Sequence, residues 1–155
     1  MTVLSLIASF AALFLVVFVV SYLLQAFSIY YILKNMSYQN PFFAFIPFLN
    51  IYALSSIVPY YTDDKVYVTA EIGIKKELFR FWWLIAILLA MIPAVGWILS
   101  LIVRILCYTR IIQYVYAVFD KRREEEEIVL AVISSIFPII FFIKCLIYMF
   151  SKTRP

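Results

Sequence analysis

The chain has 155 residues, of which 66% are hydrophobic and 14% are charged, against roughly a quarter charged in soluble domains. This composition lacks the polar surface that a water-facing domain needs, so it predicts an integral membrane protein. The chain has no histidine and only two cysteines, and we expect no enzyme activity, catalytic residue, metal site or cofactor. Its net charge of +4 is divided among clusters between apolar runs, so we expect no nucleic-acid partner.

The first apolar run, from Thr2 to Leu33, contains no charged residue. A helix of this length would be about 48 Å long at ~1.5 Å per residue, which exceeds the ~30 Å hydrocarbon core. We expect it to span with a tilt. Tyr30, Tyr31 and Lys34 follow at the level where the helix leaves the bilayer.

The second uncharged run, 41–62, is interrupted by Pro47 and Pro59 and has Asn50 near its centre. Two interpretations are open. A kinked spanning helix requires a buried partner for Asn50, because an unpaired amide in hydrocarbon costs several kcal/mol. A re-entrant hairpin would break near Pro47. We favour the kinked span.

Charged and polar residues dominate the next segment, 63–80, which we predict to be an extramembrane loop. It is either a solvated connector or a docking surface for a partner. The candidate docking residues are Asp63, Asp64, Lys65, Glu71, Lys75 and Lys76.

The third uncharged run, 81–103, follows an aromatic belt and reads as a spanning helix. Its apolar pattern continues to Phe119, which is too long for one span. The chain either bends between Pro93 and Gly96 or continues as an interfacial, cytoplasmic segment over 104–127, and we favour the second. The run 128–150 completes a fourth span if Lys144 extends to the interface.

The sequence therefore predicts an all-α, polytopic membrane protein that forms one domain, with spans at about 2–33, 41–62, 81–103 and 128–150. Three spans carry a proline after a bulky apolar residue, at Pro47, Pro93 and Pro138, where we expect helix kinks. The near-equal spacing of these prolines is a weak sign of an internal repeat.

The order of these features resembles a family of small bacterial multispanning membrane proteins of unknown function, sometimes associated with type I signal peptidases. The resemblance covers about 22–150, and its most specific part is the IPxxNxY pattern formed by Ile46, Pro47, Asn50 and Tyr52. It implies location in a bacterial cytoplasmic membrane. It implies no proteolysis, because no serine and lysine dyad is recognisable. The chain departs from the family in its longer loop after the second span and in Asp120, which follows Phe119 where the family has glycine.

Two groups of polar residues are candidate sites within or beside the bilayer. Asn50 and Tyr52 form a polar pair inside an apolar run, where polar groups are costly; the alternative is helix-to-helix hydrogen bonding. Arg104, Arg110 and Gln113 are candidate contacts to lipid phosphates or an acidic partner, although helical spacing puts Arg104 on a different face from the other two.

Four alternating spans would divide the basic loop residues equally, so the positive-inside rule does not decide the orientation. An uncharged N-terminus favours its location outside the cell. One side would hold Lys34, Arg104, Arg110, Lys121, Arg122 and Arg123, and the other Lys65, Lys75, Lys76, Arg80, Lys152 and Arg154.

Three functions are compatible with these features. The leading hypothesis is a non-catalytic subunit or scaffold of a larger membrane complex for secretion or transport, whose partners are lipids and other membrane subunits or copies of itself. The alternative is an oligomeric carrier or channel for a lipid, an ion or a small amphiphile. The third is an immunity or sensor protein for a membrane-active peptide.

Overall fold

The computed structural model describes residues 3–60, 64–69, 71–152 and 155, with side chains described from Ser5 onward. The protein is mostly helical, with 75% of the described residues in helices. The elements are α1 (Val3–Asn35), a first 3₁₀ helix (Pro41–Phe45), α2 (Leu49–Ser56), β1 (Lys65–Tyr67), β2 (Gly73–Lys75), α3 (Lys76–Arg80), α4 (Trp82–Ala90), α5 (Gly96–Asp120), a second 3₁₀ helix (Glu124–Glu127), α6 (Ile128–Ile136) and α7 (Pro138–Phe150).

α1 has a bare half and a packed half. Every side chain from Ser5 to Ser21 is exposed, although most of them are apolar. In the C-terminal half, Ile29, Ile32 and Leu33 are almost fully buried against the first 3₁₀ helix and α7. The run contains neither glycine nor proline to interrupt it. More than half of α1 therefore lies outside the protein's own core, which suits a lipid environment.

The kinked spanning helix predicted over 41–62 does not form in its described part, 41–60. The first 3₁₀ helix ends at Phe45 and α2 has only 8 residues, which corresponds to about 12 Å. Pro47 causes this break because it has no N–H to donate and forces the preceding residue into an extended conformation. Phe48 then has a left-handed φ of 67° before α2 begins. The kinked span is therefore replaced by a break at Pro47.

The chain reverses direction at this break. Before the break, the carbonyl of Phe45 accepts a hydrogen bond of 2.7 Å from the hydroxyl of Tyr22, which lies 13 residues before the end of α1. After the break, at the end of α2, the side chain of Ser56 hydrogen-bonds Tyr38, which follows the end of α1. The first 3₁₀ helix and α2 are thus the two arms of a short hairpin beside α1.

The helix predicted over 81–103 also breaks. The break lies between Pro93 and Gly96, which is the alternative that we favoured less. α4 ends at Ala90, and α5 begins at Gly96 after a turn that contains Pro93. The two helices pack antiparallel, so that the rings of Trp82 and Tyr108 lie 6.2 Å apart. α4 and α5 therefore form a helical hairpin whose apex is at residues 91–95.

The segment 104–119, predicted to be interfacial, is instead the buried half of α5. Its inward side chains fill the largest part of the core because an apolar residue recurs every three or four positions. The most deeply buried are Cys107, Ile111, Ile112, Val115, Tyr116 and Phe119.

The span predicted over 128–150 is also two helices, which meet at an angle of 119°. Phe137 leaves the helical conformation (φ −113°, ψ 84°), and Pro138 starts α7 where no N–H is needed. Proline therefore produces a sharp bend rather than a mild kink.

The loop predicted over 63–80 contains a two-stranded antiparallel sheet. β1 and β2 pair with Lys65 opposite Lys75 and Tyr67 opposite Gly73. The sheet rests on the helical core through Val66, which is 2% exposed. The charged loop is thus attached to the body of the protein.

Aromatic rings join α5 to α7. Tyr108 and Tyr116 contact Phe141 at ring distances of 5.8 and 6.1 Å, and Phe119 stacks on Tyr148 at 4.9 Å. Residues later in α5 contact residues later in α7, so the two helices run parallel. The interlocked rings hold the two helices in register.

Two helices, Ser5–Asn35 and Gly96–Asp120, are long and apolar enough to cross a membrane, and the bent pair α6–α7 would be a third only if counted as one span. These helices support the prediction of a helical, membrane-associated protein. The four-span arrangement is not confirmed, because three of the four predicted runs break at proline.

Candidate polar pocket and neighbouring groove

A cavity of about 250 Å³ lies where α1, α2, α4 and α5 meet the bend between α6 and α7. Its walls are mainly apolar, but several polar side chains converge on it. The lining residues are Gln25, Ile29, Asn50, Ile51, Leu54, Trp82, Arg104, Tyr108 and Pro138. We call this cavity the polar pocket.

The polar pocket has hydrogen-bonding capacity that the protein does not satisfy. The Asn50 Oδ1 atom is buried and has no hydrogen-bond partner. Arg104 is exposed, and no acidic side chain in the described part of the chain forms an ion pair with it. An unpaired acceptor and an unpaired cation thus share one cavity, which suits a ligand that carries a negative charge and a hydrogen-bond donor.

An apolar groove of about 260 Å³ continues from the polar pocket and shares Ile51, Trp82 and Arg104 with it. The groove runs along α4, where Ala86 and Ala90 leave room because their side chains are small. Its other lining residues are Phe48, Trp83, Ile87 and Ser100. Together the two cavities have a polar end and an apolar end.

The tryptophan at the junction is held in place by a hydrogen bond. Trp82 Nε1 donates to Ser55 Oγ at 3.1 Å, and both residues are buried. Ser55 itself donates to the carbonyl of Ile51 at 2.8 Å, so its oxygen points toward α4 with a lone pair available. This bond ties α2 to α4 at the wall of the polar pocket.

A second polar cluster lies on α5. Arg110 Nη1 donates to Glu124 Oε2 at 2.5 Å, and Gln113 Nε2 donates to the Glu124 carbonyl at 2.7 Å. Arg110 and Gln113 are only 6% and 9% exposed. Pairing with Glu124 allows both side chains to be buried.

The β-hairpin closes over this second cluster. Tyr67, Val68 and Thr69 line a cavity of about 200 Å³ together with Arg110 and Glu124. The charged loop after α2 and the charged turn after α5 therefore lie on the same side of the molecule.

The candidate residues of the sequence are thus distributed over separate places. Asn50 and Arg104 meet in the polar pocket, whereas Tyr52 packs against Phe81 at a ring distance of 5.3 Å and does not line it. Neighbouring residues on α2 point in different directions, so the spacing of Asn50 and Tyr52 prevents a shared site.

The predicted docking loop is partly described. Asp63 lies outside the described residues, and Glu71 is exposed. Lys76 forms an ion pair with Asp64 at 3.0 Å, and this hydrogen bond raises the pKa of the lysine. Lys65 and Lys75 lie opposite each other in the sheet. Like charges at facing positions of a sheet are unfavourable.

Sequence reasoning missed Gln25 and Glu124 as site residues, and it treated Lys144 as a lysine that extends to the interface. Lys144 Nζ instead donates to Asp120 Oδ2 at 2.5 Å. A usable signal existed for Gln25, since it is the one amide within the long apolar run of α1. No local pattern could have paired Glu124 or Lys144 with its partner.

Comparison of the chain with protein-family models, with curated proteins and with solved structures returns no match. The resemblance to the bacterial family stays a prediction.

Proposed function

We propose that the protein is a non-catalytic subunit or scaffold of a membrane complex, embedded in the bacterial cytoplasmic membrane and presenting one polar face to its partner. The observation that carries this proposal is the meeting of Thr69, Arg110 and Glu124 around one cavity. Alternating spans would put the loop that contains Thr69 on the opposite side of the membrane from the other two.

The bare half of α1 supports its role as the membrane-crossing element. From Ser5 to Gln25 the helix rises by about 30 Å at ~1.5 Å per residue, which equals the thickness of the hydrocarbon core. Its side chains over this length are mostly apolar and almost all exposed. The packed half of α1 then begins at Ala26, where the polar face of the protein would meet the headgroups.

The α4–α5 hairpin fits a different role. If α5 crossed the whole bilayer, Tyr108 at its centre would lie near the mid-plane. The β-hairpin packs close by, at Arg110, so its lysines and acidic residues would then lie in hydrocarbon at a cost of several kcal/mol. We infer that α4 and α5 enter and leave on the same side, with their apex at mid-membrane; α4 alone, at about 14 Å, is half of the core thickness.

This arrangement removes the tie in the positive-inside rule. The segments that carry the 12 lysines and arginines of the described residues face one side of the membrane instead of two. Because that rule assigns basic loops to the cytoplasm, the polar face is cytoplasmic and the N-terminus of α1 is outside.

Cysteine labelling tests the arrangement. Thr69→Cys and Glu125→Cys, treated with a membrane-impermeant maleimide in oriented vesicles, should react from the same side, and Ala94→Cys at the apex should react from neither. The native Cys107 and Cys145 are each 1% exposed and provide the unreactive baseline. Reaction of the first two variants from opposite sides would overturn the one-sided arrangement.

Photocrosslinking tests the scaffold role. A photoreactive amino acid at Ile72, which is 51% exposed in the β-hairpin, should give one discrete adduct in native membranes. Lys75→Glu should weaken this adduct because it reverses the charge beside the probe. The same probe at Glu125, exposed on the same face but outside the sheet, is the matched control. A chain that gives no adduct at Ile72 and always elutes alone would contradict the proposal.

The polar pocket favours a second candidate, the oligomeric carrier or channel for a small amphiphile or ion. Its support is the unsatisfied Asn50 Oδ1 beside Arg104. Flux across liposomes should then fall with Asn50→Leu and stay unchanged with Tyr52→Phe, because Tyr52 lies outside the pocket. Equal flux in liposomes with and without the protein would remove this candidate.

A further inference from the structure

We infer that the polar pocket and the apolar groove together bind one anionic phospholipid of the cytoplasmic leaflet. Arg104 binds its phosphate, Asn50 accepts a hydrogen bond from a headgroup hydroxyl, and one acyl chain lies along Trp83, Ala86 and Ala90. This inference goes beyond the scaffold role but depends on the one-sided arrangement proposed with it.

Charge supports an anionic ligand. Arg104 lies at the junction of the two cavities, and none of the residues that line either cavity is acidic. A guanidinium binds a phosphate through two parallel hydrogen bonds, a geometry that water or a neutral lipid group does not match. The cation therefore lacks a counter-ion that a lipid phosphate supplies.

The buried amide supports a headgroup with a donor. Asn50 Oδ1 has no partner, and a buried acceptor without a hydrogen bond is destabilising. A hydroxyl of a glycerol headgroup would satisfy it. The polar pocket, at about 250 Å³, has room for about eight water volumes at ~30 Å³ each, which suits a headgroup but not a complete lipid.

Two independent distances put the polar pocket at the depth of the phosphates. Along α1, Gln25 in the pocket wall lies about 30 Å from Ser5, one full hydrocarbon thickness. Along the hairpin, Arg104 lies ten positions after Ala94 at the apex, or about 15 Å, which is one leaflet. Both helices therefore carry the pocket to the same headgroup level.

The groove continues from this level toward the membrane centre, as an acyl chain does. Arg104 and Trp82 stand at its upper end, and Ala90 lies at the end of α4 next to the apex. The small side chains of Ala86 and Ala90 create the space, since larger residues at these positions would fill it.

The experiment is a lipid competition on the purified full chain. The protein is incorporated into nanodiscs of equal parts phosphatidylglycerol and phosphatidylcholine with matched acyl chains, released into mild detergent, and examined by native mass spectrometry. The wild type should retain one phosphatidylglycerol, with a preference of about tenfold over phosphatidylcholine. Both lipids carry a phosphate, but the trimethylammonium group of phosphatidylcholine offsets its charge beside Arg104 and offers no hydroxyl to Asn50. Glycerol 3-phosphate, which has no acyl chain, should not compete.

Three variants separate the parts of the site. Arg104→Gln should reduce the preference to less than about twofold, and Arg123→Gln, an exposed arginine far from the groove, should leave it unchanged. Asn50→Leu should lower the retention of phosphatidylglycerol severalfold. Ala90→Phe changes no charge and lies at an exposed position, so it should lower retention of both lipids by filling the groove. If Arg104→Gln fails to fold, the other two variants decide.

Retention of both lipids in equal amounts by the wild type would overturn the inference, and so would an unchanged preference in Arg104→Gln. Competition by glycerol 3-phosphate would identify a phosphate site and not a lipid site. Failure of the one-sided arrangement is recognised separately, from the sides on which Thr69→Cys and Glu125→Cys react, and failure of the scaffold role is recognised from the crosslinking at Ile72. Same-side labelling without lipid preference refutes the lipid site alone.

Discussion

The turn between α4 and α5 has no room for a side chain at Gly96. A Cβ atom built on this residue would lie 2.0 Å from the carbonyl oxygen of Leu89 and 2.7 Å from the Cβ of Ile92. The first contact is with the backbone of α4, which cannot rotate away as a flexible side chain could. Gly96→Ala should therefore push the two arms of the hairpin apart.

The size of the effect follows from two opposing contributions. A carbon–oxygen contact is comfortable at about 3.3 Å, so the α4 backbone must move by more than ~1 Å, and overpacking of this kind costs about 3 kcal/mol at the upper end of its usual range. Alanine is a better helix former than glycine by at most ~1 kcal/mol. The net destabilisation expected for Gly96→Ala is about 2 kcal/mol.

The assay is unfolding in detergent micelles, followed by the fluorescence of the three tryptophans, which lie on or beside this hairpin. Ala94→Gly is the matched control, since Ala94 holds a left-handed φ of 67° that glycine adopts without strain. It should be neutral or stabilising by up to ~1 kcal/mol. A Gly96→Ala protein as stable as the wild type would refute the close approach of α4 and α5.

Two further predictions concern buried hydrogen bonds. Ser55→Ala removes the acceptor of the Trp82 indole and should destabilise the protein by about 1–2 kcal/mol, whereas Ser9→Ala, which loses only an exposed bond within α1, should cost less. Thermal unfolding in detergent compares the two variants, and equal effects would contradict the interhelical bond. Glu124→Gln leaves the guanidinium of Arg110 buried without its ion pair and should lower the free energy of unfolding by about 2 kcal/mol. The loss is smaller than for a fully buried pair because Glu124 is one third exposed, and an unchanged stability in the same assay would contradict a role of this ion pair.

The proline positions illustrate how far sequence reasoning reaches into the fold. Pro47, Pro93 and Pro138 could be identified as interruptions from residue chemistry alone, because each removes a backbone donor wherever it stands. Residue chemistry alone could not show whether each interruption is a mild kink or a complete reversal of the chain. A mild kink and a complete reversal begin with the same missing hydrogen bond, and contacts from distant helices, such as Tyr22 to the Phe45 carbonyl, select the reversal.

The candidate site divides in the same way. Asn50 and Arg104 could be recognised as unusual polar residues near apolar runs, but they are separated by more than fifty positions and by two chain reversals. Arg110 was expected to contact lipid phosphates or an acidic partner, and Glu124 belongs to a different element; their mutual pairing allows the arginine to be 6% exposed. No local periodicity encodes such a partnership.

By itself the sequence determined the solvent of this protein, since a chain with 66% hydrophobic residues and 14% charged residues favours lipid over water. It also marked three places where a helix is interrupted, Pro47, Pro93 and Pro138, because proline acts on its own backbone. Only the tertiary structure decided which way the chain turns at each stop and which polar groups meet. Those outcomes depend on packing and hydrogen bonds between segments far apart in the chain. The energies of these contacts cannot be worked out from any stretch of neighbouring residues.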